Sequence, residues 1–127
     1  MSNKIFLVLR ILVAVILIQT LRYKFTAHPD SVYIFSKIGL EPVGRIGIGI
    51  IELIAALFLL INRTVWLGAI IALGVISGAL FMHLTDLGLE INNDGGTLFF
   101  MALGIFILSL TILFKERKKI PFIGKSL

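Results

Sequence analysis

Apolar residues fall into four long runs in this chain: Ile5 to about Leu21, about Val43 to Ile61, Val65 to about Met82 or His83, and Thr97 to Phe114. A hydrocarbon core of ~30 Å is crossed by ~20 residues of helix, and ~17 is a workable minimum. Each run meets that length. Isolated strands are excluded as spanning elements because their open edges stay unsatisfied in lipid. The pattern predicts an all-α, integral membrane four-helix bundle in a single domain over 1–127, with helices at about 5–21, 43–61, 65–83 and 97–114. Lys4 before the first run resembles the start of a signal peptide. Arg10 inside the run, and the lack of a small-x-small cleavage site after it, favour a retained helix.

The breaks between runs are unequal. "INRT" joins the second and third helices so tightly that they are expected to be antiparallel neighbours. The stretch from Arg22 to Pro42 is longer, and within it "HPDSVYIFSKIG" reads as a short helix. Pro29 suits its first turn, Asp30 favours the positive end, and Gly39 can cap its C-terminus. Val32, Phe35 and Ile38 form an apolar edge that should lie on the membrane surface or cover the bundle mouth. Asp94, Gly95 and Gly96 are expected to turn the chain into the fourth helix.

Composition supports the bilayer as solvent: 58% of residues are hydrophobic, 15% are charged, and the mean hydropathy is +1.07. The net charge of +5 raises nucleic acid as a partner. The basic residues sit at segment ends, however, which fits membrane orientation and not a nucleic-acid face. With residue 1 in the cytoplasm, that side collects Lys4, Arg63, Lys115, Arg117, Lys118, Lys119 and Lys125. The other side collects Arg22, Lys24, Lys37 and Arg45, so both termini are expected in the cytoplasm. The absence of cysteine excludes thiolate metal sites and thiol redox relays. Two histidines, His28 and His83, make no metal-ligand motif, so no metal is expected.

Gly44, Gly47 and Gly49 begin the second helix, and Gly74 with Gly78 forms a GxxxG pair in the third, flanked by Ala72, Ser77 and Ala79. Small residues at this spacing let helices approach closely in lipid. Packing within the bundle is the leading expectation, and a homodimer face is the alternative.

Arg10, Glu52 and His83, with Gln19 and Thr20 nearby, interrupt the apolar runs. A charge at the bilayer centre costs from ~2.5 to above ~10 kcal/mol unless paired or hydrated. Arg10 lies ~8 Å from one membrane side and Glu52 ~14 Å from the same side. An Arg10–Glu52 pair is therefore expected, either pinning helix register or carrying ligand or proton chemistry. Arg45, Gly49, Glu52 and Ala56 share a stripe of the second helix. Lys24, Arg45 and His83 should gather at the external mouth above Glu52, where an anionic or quinone-like head group would sit. The candidate ligand-binding residues are thus Arg10, Lys24, Arg45, Glu52 and His83.

These residues resemble the pattern of the DoxX-like family of small four-helix membrane proteins. The matching pieces are Arg10 in "VLRILVA", Lys24 in "LRYKF", "GLEP" before the second helix, Glu52 in "GIIELIAALFLL" and His83 in "FMHL". The family's usual glycine before the lysine is absent at Leu21 and Arg22. The resemblance implies an inner-membrane protein linked to redox or quinone pathways, such as a subunit of a thiosulfate:quinone oxidoreductase. Three functions remain open: a quinone- or small-ligand-binding accessory subunit, a non-enzymatic assembly protein of a larger membrane complex, or a small transporter. Intact helices weigh against the transporter. No nucleotide loop, nucleophile–base pair or cofactor motif marks an independent catalyst. Expected partners are membrane lipids and a larger complex or second copy, with bound quinone as the possible cofactor.

Overall fold

The first apolar run continues one turn past Leu21, and the helix it forms, α1, spans Asn3–Phe25. The computed structural model describes residues 3–26, 28–88 and 95–121. The later elements are α2 (Pro29–Lys37), α3 (Val43–Leu60), α4 (Val65–Met82) and α5 (Thr97–Lys115). A π-helical turn, His83–Leu87, extends α4, and a short 3₁₀ turn, Arg117–Lys119, follows α5. The protein is all-α. Four of the helices are long and apolar enough to cross a membrane.

The spanning helices form a ring: α1 lies against α3, α3 against α4, α4 against α5, and α5 returns to α1. Successive spanning helices run in alternating directions. The end of α1, the start of α3, the end of α4 and the start of α5 therefore share one end of the bundle, the mouth. Alanines dominate the interior, with Ala14, Ala55, Ala56, Ala69 and Ala72 all buried around Val13 and Leu59. Large apolar side chains such as Val8, Leu57, Phe81 and Ile107 point outward and are exposed. A monomer in water rarely shows so continuous an apolar surface, whereas in lipid it is neutral and small interior residues gain van der Waals contact.

The α3–α4 turn shows that contact most clearly. A Cβ at Gly68 would stand 2.8 Å from both the Ala55 carbonyl and the Leu59 nitrogen, and 3.0 Å from the Phe58 Cβ. Gly68 is thus the small residue on which close helix approach depends. The GxxxG pair behaves otherwise: Gly74 and Gly78 are exposed, and a Cβ at either would meet nothing within 4 Å. The expectation that this pair packs helices together within the bundle is corrected. We expect Gly68→Ala to cost about 1–3 kcal/mol by overpacking, more than the ~0.5–1 kcal/mol gained from better helix propensity. Thermal unfolding in detergent reads this, with Gly74→Ala, which should not destabilise, as the control.

The short helix expected in the first long connection is present as α2. Pro29 occupies its first turn, and His28 caps it by accepting the Asp30 N–H on Nδ1 at 3.1 Å. At its C-terminus Gly39 adopts φ +78°, with Leu40 N–H donating to the Phe35 carbonyl (2.8 Å) and Gly39 N–H to that of Ser36 (3.1 Å). This is the Schellman arrangement, which requires a left-handed residue and so favours glycine. Phe35 is buried while Val32 and Ile38 are half-buried, so the apolar edge covers the mouth, touching α1, α3 and the π-turn. At the start of α5, Gly95 and Gly96 both hold positive φ, as a turn there requires. Asp94 lies outside the described residues.

Candidate functional site

Arg10, Arg45, Glu52 and His83 are each no more than 6% exposed. Their partners explain why each is tolerated. Arg10 donates through Nε to the Leu59 carbonyl at 2.8 Å and through Nη1 to Asn62 Oδ1 at 3.0 Å. Leu59 is in the last turn of α3, where carbonyls have no intrahelical N–H partner and the helix dipole is negative. Arg45 does the reverse. Its Nη1 donates to the carbonyl of Lys24, in the last turn of α1, and its Nε contacts both Glu41 oxygens at 2.8 and 3.0 Å. Each arginine closes the C-terminal end of the antiparallel neighbour, and together they fix the register of α1 against α3.

Glu52 is held by another cation. Lys24 Nζ lies 3.1 Å from Glu52 Oε1 and 3.4 Å from Oε2, and Thr20 Oγ1 lies 3.2 Å from Oε2. The Thr20 hydroxyl is also 2.8 Å from the Leu17 carbonyl, so its single proton is shared between two acceptors. The expected Arg10–Glu52 pair is therefore overturned. Helical side chains lean toward their own N-terminus. On antiparallel helices Arg10 leans away from the mouth and Glu52 leans toward it, so the two diverge. Lys24, carried on the extra turn of α1, leans down from the mouth and meets Glu52.

The ion pair lines a cavity of about 800 Å³ between the spanning helices and beneath α2. Its walls are largely apolar, formed by residues such as Leu17, Ile48, Ile76, Met101 and Ile105. The polar positions on the wall are Thr20, Lys24, Asp30, Ser31, Glu52, His83 and Thr97. His83 stands in the π-turn with Nδ1 2.9 Å from the Gly88 carbonyl and its ring edge-on to Phe99, centroids 5.6 Å apart. A carbonyl only accepts, so Nδ1 carries a proton; in the neutral ring Nε2 is then an acceptor. The arrangement offers a donor at Lys24 and an acceptor at His83, on the walls of an apolar chamber, with the Thr20 proton taken by Leu17 and Glu52.

Three of the five residues singled out in the sequence, Lys24, Glu52 and His83, share this cavity. Arg10 and Arg45 do not line it, because both are committed to helix ends. Sequence reasoning placed Thr20 near the polar residues without giving it a role; its position four residues before Lys24, on the same helix face, was the available signal. Asp30 was read only as a helix-dipole residue and also stands on the cavity wall. Asn62 was read only as a turn residue.

The family model for DoxX matches residues 5–84, a stretch that holds α1 to α4 together with Arg10, Lys24, Glu52 and His83. No curated protein and no solved structure matches the chain. With the family pattern covering well over half of the 127 residues and holding three of the four candidate membrane spans, this multi-pass membrane protein belongs to the DoxX family.

Proposed function

We propose that the chain binds a quinone, or a molecule with a similar flat carbonyl-bearing head group, as an accessory subunit of a membrane redox system. The observation that supports this is the Lys24–Glu52 pair, joined by Thr20 and His83, on the wall of a mainly apolar cavity of about 800 Å³. Ligand sites of this size combine apolar walls with a few placed polar groups. Lys24 Nζ is the donor suited to a ring carbonyl, and Thr20 helps to hold Glu52 beside it. His83, its tautomer set by Gly88, is the acceptor suited to a ring hydroxyl. Glu52 neutralises Lys24 and holds its ammonium on the wall, and α2 limits water entry at the mouth. A bound quinone would supply two-electron, two-proton chemistry that the side chains lack, and its electron donor would come from a partner.

Purification from native membranes in mild detergent, followed by solvent extraction and mass spectrometry, tests the reading. A quinone in near-stoichiometric amount is expected with the wild-type chain and should be lost from Glu52→Gln. Phospholipid alone in the wild-type extract contradicts it, and a stoichiometric larger protein without quinone favours the assembly role.

The orientation belongs to the same proposal: the cavity mouth faces away from the cytoplasm of a cell whose inner membrane holds the protein. Support comes from the basic residues Lys4, Arg63, Lys115 and Lys118, which lie at the opposite end of the bundle. A phosphatase that works only outside the cytoplasm, fused after Leu127, should be inactive; an active fusion reverses the orientation.

A further inference from the structure

The mouth of the cavity is covered by α2, with Phe35 buried beneath it, yet the cavity reaches the outer surface elsewhere. Gly74 and Gly78 line the same chamber as Glu52 and Lys24, and both are exposed. Neither points at the core. Gly74 is two residues from buried Ala72 and from buried Ile76, about 200° around the helix from each, and Gly78 is two residues beyond Ile76. A Cβ at either position would touch nothing within 4 Å. Measured along α4, Gly78 lies ~7 Å and Gly74 ~14 Å below His83, inside the candidate span Val65–Thr85. The missing side chains therefore leave a gap at the depth of hydrocarbon, beside Leu98 and Met101 of α5, which share the cavity.

A second feature points to a ligand in the chamber. His83 is 5% exposed and lines the cavity. Its Nδ1 is used by Gly88, and no hydrogen bond to Nε2 is present among the described residues. In the neutral ring Nε2 is thus an acceptor available to a donor from something in the cavity.

Resting on the reading of the cavity as a head-group site, we infer that its ligand enters and sits sideways. The polar head lies against Lys24, Glu52 and His83, and an apolar chain leaves through the Gly74–Gly78 gap into the bilayer. The ligand is thus a membrane-dissolved amphiphile with a long chain and not a water-soluble metabolite. The two glycines define where the chain passes, and the head-group residues define what it carries.

Equilibrium binding to the full chain in nanodiscs tests the route, using a radiolabelled decyl-substituted benzoquinone and the same ring without its chain. Leucine at either glycine meets open space, so Gly74→Leu and Gly78→Leu should fold; thermal unfolding of each confirms this. Both should bind the decyl compound about tenfold more weakly or worse, the loss that two unburied methylenes produce, while affinity for the chainless ring stays unchanged. Wild-type affinity for the decyl compound in both variants overturns the lateral route. Equal loss of both compounds also overturns it, since the leucines would then have damaged the chamber as a whole. If the wild-type chain binds neither compound, the head-group reading fails and the route fails with it.

Discussion

Glu52→Leu is expected to destabilise the protein by about 3–5 kcal/mol, because it strands the Lys24 ammonium in a buried site without its carboxylate. Lys24 is 16% exposed at the side chain and Glu52 7%, so little water reaches the pair to screen it. Lys24→Met should cost a similar amount by stranding the carboxylate, for which Thr20 alone is an insufficient partner. The double variant Lys24→Met/Glu52→Leu removes both charges and keeps both volumes, and most of the stability should return. A double-variant cycle by chemical denaturation in detergent measures this. Additive losses in the double variant would mean that the two ions do not depend on one another.

Arg10→Met is the second large effect expected, about 2–3 kcal/mol, the range for losing charge-assisted hydrogen bonds at a buried site. The change leaves the Leu59 carbonyl without the donor that Nε supplies and Asn62 Oδ1 without the one from Nη1. It also removes a positive charge from the negative end of α3. Lysine should rescue only in part, since a single ammonium cannot span both acceptors with the guanidinium's fixed fork. The effect separates Arg10 from the ligand site: Arg10→Met should lower the unfolding temperature while the surviving folded protein binds quinone as the wild type does. Weakened binding by the folded fraction would return Arg10 to the site.

The four spans were legible because a bilayer demands length and hydropathy, and both are one-dimensional properties. α2 was legible because Pro29, Asp30 and Gly39 each act on local backbone geometry. That Glu52 faces inward followed from the cost of a carboxylate in lipid. Its partner did not follow, because depth along the axis ignores the opposite lean of side chains on antiparallel helices. The end of α1 hid the rest. Apolar residues stop near Leu21, but the helix continues through Lys24, and only that extra turn brings the lysine to Glu52. Gly74 and Gly78 were misread for a related reason. Their spacing matches a packing motif, whereas their angle from Ala72 and Ile76 turns them away from the bundle core. Gly68 belongs to no GxxxG pair but stands four residues before buried Ala72, and it makes the tightest approach to α3's backbone. The π-turn at His83 was not read from the sequence; it places the ring 2.9 Å from the Gly88 carbonyl, a contact between residues five apart.

Binding of the decyl benzoquinone to Lys24→Met/Glu52→Leu bears most directly on the ion pair as a ligand site. The comparison is made with wild type in the same nanodiscs, after unfolding experiments show the two to be similarly stable. A ligand-holding pair predicts affinity weaker by about tenfold to a hundredfold, the loss of a charge-assisted hydrogen bond to the head group. Undiminished affinity in the stable double variant would contradict it and reduce Lys24 and Glu52 to a pin between α1 and α3.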